Sequence, residues 1–153
     1  MRVSAKADYA VRAMVALAAD GAGKEPVKGD RIAEAQEIPL RFLENILGEL
    51  RHAGLVQSRR GIDGGYWLAK PPDDVTLAEI IRAVEGPLAS VRGEPPNELS
   101  FTGAATPLRD VWIALRANIR DILESVTLAD IVAGDLPEPV QEIASRPDVW
   151  SAR

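Results

Sequence analysis

The sequence predicts a mainly α fold with one small β-hairpin wing and a long helix behind it. Three observations carry this. Ile38 to Arg51 has the spacing of an amphipathic helix. Gly54 to Ala69, GLVQSRRGIDGGYWLA, places two short apolar strands, Leu55–Val56 and Tyr66–Leu68, around a glycine-rich basic tip. Leu108 to Val126 steps its apolar residues by 4, 3, 4, 3 and 4. A helix followed at once by a basic-tipped hairpin has the outline of a winged helix-turn-helix.

Ser4 is placed to cap a first helix running to about Asp20, with Gly21 past its end. Val3, Ala7, Ala10, Met14 and Leu17 recur at helical spacing, and the many alanines allow neighbours close approach. Residues 21–29 read as loop. Asp30 is a candidate cap for a short second helix, Arg31 to Gln36, that buries Ile32 and Ala33. Pro39 suits the first turn of the third helix, where its missing N–H would have no partner anyway. Phe42, Leu43, Ile46, Leu47 and Leu50 form that helix's apolar face. Arg41, Glu44, Asn45, Gly48 and His52 form the other, and Gly54 ends the helix. Asp63-Gly64 is a hairpin-turn signal, since such turns need positive φ at their centre. Lys70-Pro71-Pro72 stops the second strand.

Thr76-Leu77-Ala78-Glu79 is a full capping box, and Val75 can staple to Ile80. That helix ends at Gly86-Pro87. Residues 87–106 have no periodicity and read as a long loop, either functional or disordered. Thr106-Pro107 starts the longest helix, to about Val126. Its positions Leu108, Trp112, Leu115, Ile119, Ile122 and Val126 form a heptad seam suited to a partner helix. Thr127-Leu128-Ala129-Asp130 begins a short last helix and echoes the earlier cap without making an internal repeat. The organisation expected is a winged helix-turn-helix over 1–72, then a linker helix, loop and dimerisation helix (107–126) over 73–133. A Pro-rich tail over 134–153 has only Val140, Ile143 and Trp150 as anchors.

A chain of 153 residues is most simply one domain. It has no run of 18 apolar residues, so no membrane span is expected. The apolar N-terminal stretch is broken by Asp8 and Arg12 and lacks a cleavage site, which favours a helix over a signal peptide and a cytoplasmic location. With no cysteine, the chain has no disulfide, thiolate zinc site, cysteine-held iron–sulfur cluster or cysteine nucleophile. The single histidine, His52, would have to be the base of any triad. GIDGG lacks the Lys-Ser/Thr of a phosphate loop, so no enzyme, metal or cofactor is expected. The net charge of −5 divides unevenly. Residues 1–70 carry 11 Lys and Arg against 9 Asp and Glu, a net of +2; residues 71–153 carry 7 against 14, a net of −7. The positive half holds the hairpin, and charge location decides whether a surface attracts phosphate.

This pattern points to double-stranded DNA. A recognition helix presents its N-terminal side chains to base edges. Here those are Pro39, Leu40, Arg41, Glu44 and Asn45. Arg41 suits guanine, Asn45 adenine, and Glu44 the N4 amine of cytosine. Arg59 and Arg60 at the wing tip suit a narrow minor groove. Gly61, Gly64 and Gly65 let the tip turn sharply. Lys6, Tyr9, Lys28 and Arg31 are candidate phosphate contacts. The alternatives are a solvated face on a core helix, and a winged helix used for protein contacts. His52 reads as a surface or capping residue, and Trp67 and Trp112 as core.

The chain resembles the Rrf-type winged-helix repressors, the family of the regulators IscR and NsrR. Tyr9 to Ala13 (YAVRA), Ile32 to Glu34 (IAE), Ile38 to Glu44 (IPLRFLE) and Leu50 to Val56 (LRHAGLV) carry the likeness. So do SRRG at 58–61, GGYWLA at 64–69 and TLAEI at 76–80. The likeness runs in order through residues 1–133. It implies a homodimeric regulator, usually a repressor, on a palindromic operator, with the long helix making the dimer. It implies base reading by Arg41, Glu44 and Asn45, and minor-groove insertion by Arg60. Many members hold an iron–sulfur cluster through three cysteines in the loop that is 87–106 here, PLASVRGEPPNELSFTGAAT, which has none. Asp8 matches an acidic iron ligand of some members, but one carboxylate cannot hold a cluster. The effector stays open: a small molecule near Trp112 or Arg92, a protein partner, or none.

Overall fold

The computed structural model describes residues 2–20 and 25–151. Gly21, expected just past the first helix, lies outside them, as do the other residues of 21–24. Helix α1 (Ala5–Ala19) begins where Ser4 Oγ accepts the Ala7 N–H at 3.0 Å, the expected cap. It buries Ala7, Ala10, Ala13, Met14, Leu17 and Ala18, so its inner face is largely methyl groups. Val3 precedes the helix and is exposed, contrary to its place in the expected stripe. Small side chains bring other elements close on several sides. Helices α2 (Gly29–Gln36), α3 (Leu40–His52), α4 (Leu77–Glu85) and α6 (Leu128–Ala133) all pack on α1.

Helix α2 starts two residues earlier than expected. Lys28 is its N-cap without a side-chain bond, and Asp30 lies in the first turn. There its charge favours the helix dipole instead of capping. The turn into α3 uses Glu37 in the left-handed region at φ 53°. The Glu37 and Ile38 N–H groups donate back to Glu34 and Ala33. Helix α3 has Pro39 as its N-cap, one residue outside the first turn. It buries Leu43, Ile46, Leu47 and Leu50, but Phe42 is 62% exposed. Phe42 is therefore corrected from core to surface: it sits at the edge of the apolar arc, which the described residues leave uncovered. Gly54, at φ 79°, ends α3 as expected. Its N–H donates to Arg51 and the Leu55 N–H to Leu50, the paired bonds of a Schellman ending.

Two antiparallel strands follow, β1 (Val56–Arg59) and β2 (Gly65–Leu68), with Val56 opposite Leu68 and Arg59 opposite Gly65. Thr76 and Glu79 form the expected capping box at α4. Val75 and Ile80 are both fully buried, as a staple requires. Thr127 and Asp130 form a second box at α6. The two caps meet. Leu77 N–H donates to Val126 and Leu128 N–H to Val75, each at 3.0 Å, which joins the C-terminal segment to the first half.

Helix α5 (Leu108–Ser125) has 18 residues and none is buried. Leu108, Trp112, Leu115 and Ile119 are half-buried, and Ile122 is exposed. Val126 does not continue the seam. It is extended after the helix ends, 3% exposed, and its carbonyl serves the α4 start. The loop over 87–106 is pinned down by buried Leu88, Pro96 and Leu99. Arg109 donates to the Asn97 carbonyl and Arg116 to its side-chain oxygen, both at 3.0 Å. The tail contains a helix that sequence patterning misses, α7 (Glu138–Ala144), with Pro in its first turn. Val140 is half-buried, but Ile143 and Trp150 are exposed and do not act as anchors within the chain. Among the described residues no helix is long and apolar enough to cross a membrane.

Burial raises the affinity of the Glu79 carboxyl for a proton, but Lys70 at 2.7 Å, the Thr76 N–H and Arg82 outweigh it, so its pKa lies below the usual 4.5. Glu79 therefore contributes stability above pH 4.5 and loses it as pH falls through the lowered value. A Glu79→Gln variant keeps the capping geometry without the charge. Urea melts across pH should show wild type ahead of this variant near neutrality, with the gap closing in acid. A gap independent of pH would contradict the assignment.

Candidate nucleic-acid interface

The wing is the part most tightly specified by glycine. Its tip is a five-residue connection, Arg60–Gly64, and Asp63-Gly64 lies within it. Positive φ falls at Gly61 (103°) and Gly65 (151°), not at Asp63 or Gly64. Gly64 is needed for a different reason: a Cβ there would lie 2.0 Å from the Arg59 carbonyl oxygen. At Gly65 a Cβ would lie 2.6 Å from the carbonyl oxygen of Val27. That close approach exists because Val27 pairs with Tyr66. Each N–H donates to the other's carbonyl at 2.8 Å, making Val27, the residue ahead of the α2 N-cap, a short third partner of the hairpin.

Further contacts fix the wing beside α3. Lys28 Nζ donates to the Gly61 carbonyl at 2.7 Å, and Arg51 donates to Ser58 Oγ at 3.1 Å. Arg59 donates to the Asp63 carbonyl at 3.0 Å, bracing the tip from inside. Trp67 donates to Gln57 across the strands at 2.9 Å. Sequence patterning gives no sign of the Val27 pairing or the Lys28 clamp. A lone valine after proline is too short a strand signal, and the clamp joins residues far apart in sequence.

Arg41, Glu44 and Asn45 are exposed on α3, Pro39 is exposed at its N-cap, and Arg60 is exposed at the tip. Among the described residues, none of the four polar side chains has a hydrogen bond or ion pair within the chain. The phosphate candidates differ. Lys6 pairs with Glu49 at 2.8 Å, Arg31 with Asp20 at 3.2 Å, and Lys28 holds the wing. Tyr9 is half-buried beneath the Arg12 guanidinium, 5.0 Å from the ring centre. The Lys6 and Arg31 pairs are partly exposed, and such pairs contribute about 0–1 kcal/mol, weak enough to exchange for a phosphate. His52 is exposed at the end of α3, as expected.

An iron–sulfur cluster does not fit this chain. It has no cysteine, and the Asp8 carboxylate is held by Arg12 at 2.9 Å. Among the described residues no group of three His, Cys, Asp or Glu could hold a metal ion. A groove of about 570 Å3 lies between the start of α1, the end of α4 and α5. Val3, Ala7, Ile81, Leu88, Ile119 and Ile122 line it.

Residues 3–134 match the Rrf2 family, described as "Iron-dependent Transcriptional regulator". A Mycobacterium tuberculosis protein named for an HTH-type transcriptional regulator is 51% identical over 144 residues, covering 94% of this chain and 89% of its own. The solved structure of CymR, the global cysteine regulator of B. subtilis, aligns with a TM-score of 0.73 at 34% identity, covering 87% of this chain and 97% of its own. T. potens IscR aligns at 0.68 and 34%, covering 100% and 93%.

Gly65→Ala should free the wing from Val27. Losing two hydrogen bonds costs about 2 kcal/mol, and the Val27 and Tyr66 amides should exchange with solvent much faster. Unchanged protection of both amides would mean the contact is not what holds the wing.

Proposed function

The chain belongs to the Rrf2 family of winged helix-turn-helix transcriptional regulators, and from that premise we propose that it is a homodimeric repressor of a palindromic operator. The observation that carries this is a wing fixed beside α3, with Arg41, Glu44, Asn45 and Arg60 exposed and free of partners among the described residues. Side chains without internal partners lose little when they turn to a base edge. Arg41 reads guanine with two parallel hydrogen bonds, Asn45 reads adenine, and Glu44 accepts from cytosine N4. Pro39 sets the start of the helix against the groove. Arg60 enters the minor groove, while Arg59, Gly61 and Gly64 shape the tip. Lys6, Tyr9, Lys28 and Arg31 set register on phosphates. The work is binding, not catalysis, and its place is the cytoplasm, where the operator is.

The dimer uses α5. An amphipathic helix of 18 residues with none buried forms stably when a second helix covers it. The seam is Leu108, Trp112, Leu115, Ile119 and Ile122, without Val126. The groove beside Ile119 and Ile122 continues that apolar surface and fits a partner's side chains. Regulation does not run through an iron–sulfur cluster, which leaves a small molecule, a protein partner or constitutive binding without an effector.

Arg60→Ala should weaken operator binding by about fivefold or more, on the order of 1–3 kcal/mol, with the dimer intact in light scattering. Unchanged affinity would remove the wing from the interface. Ile119→Asp should yield a monomer, because it places a charge in the seam; a variant still dimeric would mean that α5 packs elsewhere.

A further inference from the structure

We propose that Phe42 reads thymine, its ring packing on the 5-methyl group in the major groove next to the bases met by Arg41 and Asn45. The inference rests on the DNA-binding reading above and adds a specificity residue of a different chemistry. A single exposed apolar side chain is ordinary on a protein surface. The position of this one on α3 sets it apart. Phe42 is 62% exposed in the first turn of α3, between Arg41 and the buried Leu43. On a helix, residues three and seven positions on share its stripe, here Asn45 and Glu49. Glu49 is held by Lys6 of α1, whereas Asn45 is exposed and unbonded among the described residues. The ring thus lies at the open, N-terminal end of the stripe, the end a recognition helix presents to bases.

Phe42 has no donor or acceptor to offer a phosphate or a polar base edge. The major groove presents one apolar group, the thymine methyl, and phenylalanine is among the side chains that meet it. Covering both removes apolar surface from water, and the gain is absent for cytosine or for uracil. Arg41, Glu44 and Asn45 together recognise guanine, cytosine and adenine through hydrogen bonds; Phe42 supplies the remaining base.

The test uses the full chain and duplexes it enriches from a random-sequence pool. Each thymine in an enriched duplex is replaced in turn by deoxyuridine, which removes the methyl group alone. Wild type should lose about three- to fivefold in affinity at one thymine per half-site. Phe42→Ala should bind the parent duplex weakly by a similar factor and be indifferent to uracil at that position. If every uracil duplex binds wild type within about twofold of its parent, the assignment of Phe42 is overturned while DNA binding stands. Sensitivity that persists in Phe42→Ala overturns it too, since another residue then holds the methyl. Failure to enrich any duplex overturns the DNA reading itself, and this inference with it. Phe42→Gln, which is polar and helix-compatible, gives the same comparison with the same two outcomes if Phe42→Ala folds poorly.

Discussion

The reading end of this molecule depends on one backbone contact, the reciprocal pair of hydrogen bonds between Val27 and Tyr66. A two-stranded hairpin alone is marginal in water. Here a third segment pairs with it, and that segment runs straight into α2. The wing therefore cannot move without moving the start of the helix-turn-helix. The contact requires Gly65, because any Cβ would strike the Val27 main chain. Lys28 and Arg51 then tie the tip and the first strand to the same frame. The consequence is a fixed relation between Arg60 on the tip and Arg41 on α3, which two-groove recognition needs.

Behind this frame the packing is organised by α1. Its buried face is mostly alanine, and four other helices approach it. The paired caps at Thr76 and Thr127 bring the C-terminal segment onto the same core, burying Val75, Val126 and Leu128. Helix α5 is the element left over. It touches α4 and the loop, yet none of its residues is buried. The chain thus separates the polar surface of the wing and α3 from the apolar stripe of the amphipathic α5. Its charge follows the same division, with the net positive half holding the wing and α3 and the negative half holding α5.

What could be read from the sequence was local chemistry. Ser4, the two capping boxes and Gly54 act on neighbours within a few residues, so their spacing is visible in the chain. The α2–α3 turn was less legible, because a glutamate, Glu37, takes the left-handed position that glycine usually marks. The hairpin was legible but the geometry of its turn was not: positive φ falls at Gly61 and Gly65 and not at Asp63-Gly64, and a Cβ at Gly64 or Gly65 would strike main-chain atoms. Phe42 and Val126 differ from expectation for separate reasons. Periodicity assigns a face, but only tertiary neighbours decide whether its edge is covered, and Phe42 sits at an uncovered edge. Val126 leaves the seam because α5 ends one residue before it and the chain there is extended. Helix α7 went unread because prolines in a first turn resemble a loop. In the site, residue types were legible, but the internal partners of Lys6, Lys28 and Arg31 were not, since each joins residues distant in sequence.

The central claim is that this arrangement holds duplex DNA through cations at the wing and on α3. Equilibrium binding of the full chain to an enriched duplex, measured from about 50 to about 200 mM salt, tests it most directly. Counterion release predicts that log affinity falls linearly with log salt, and that removing the Arg60 charge lowers the slope by about one. Affinity independent of salt, or no duplex retained at the lowest salt, would contradict the account.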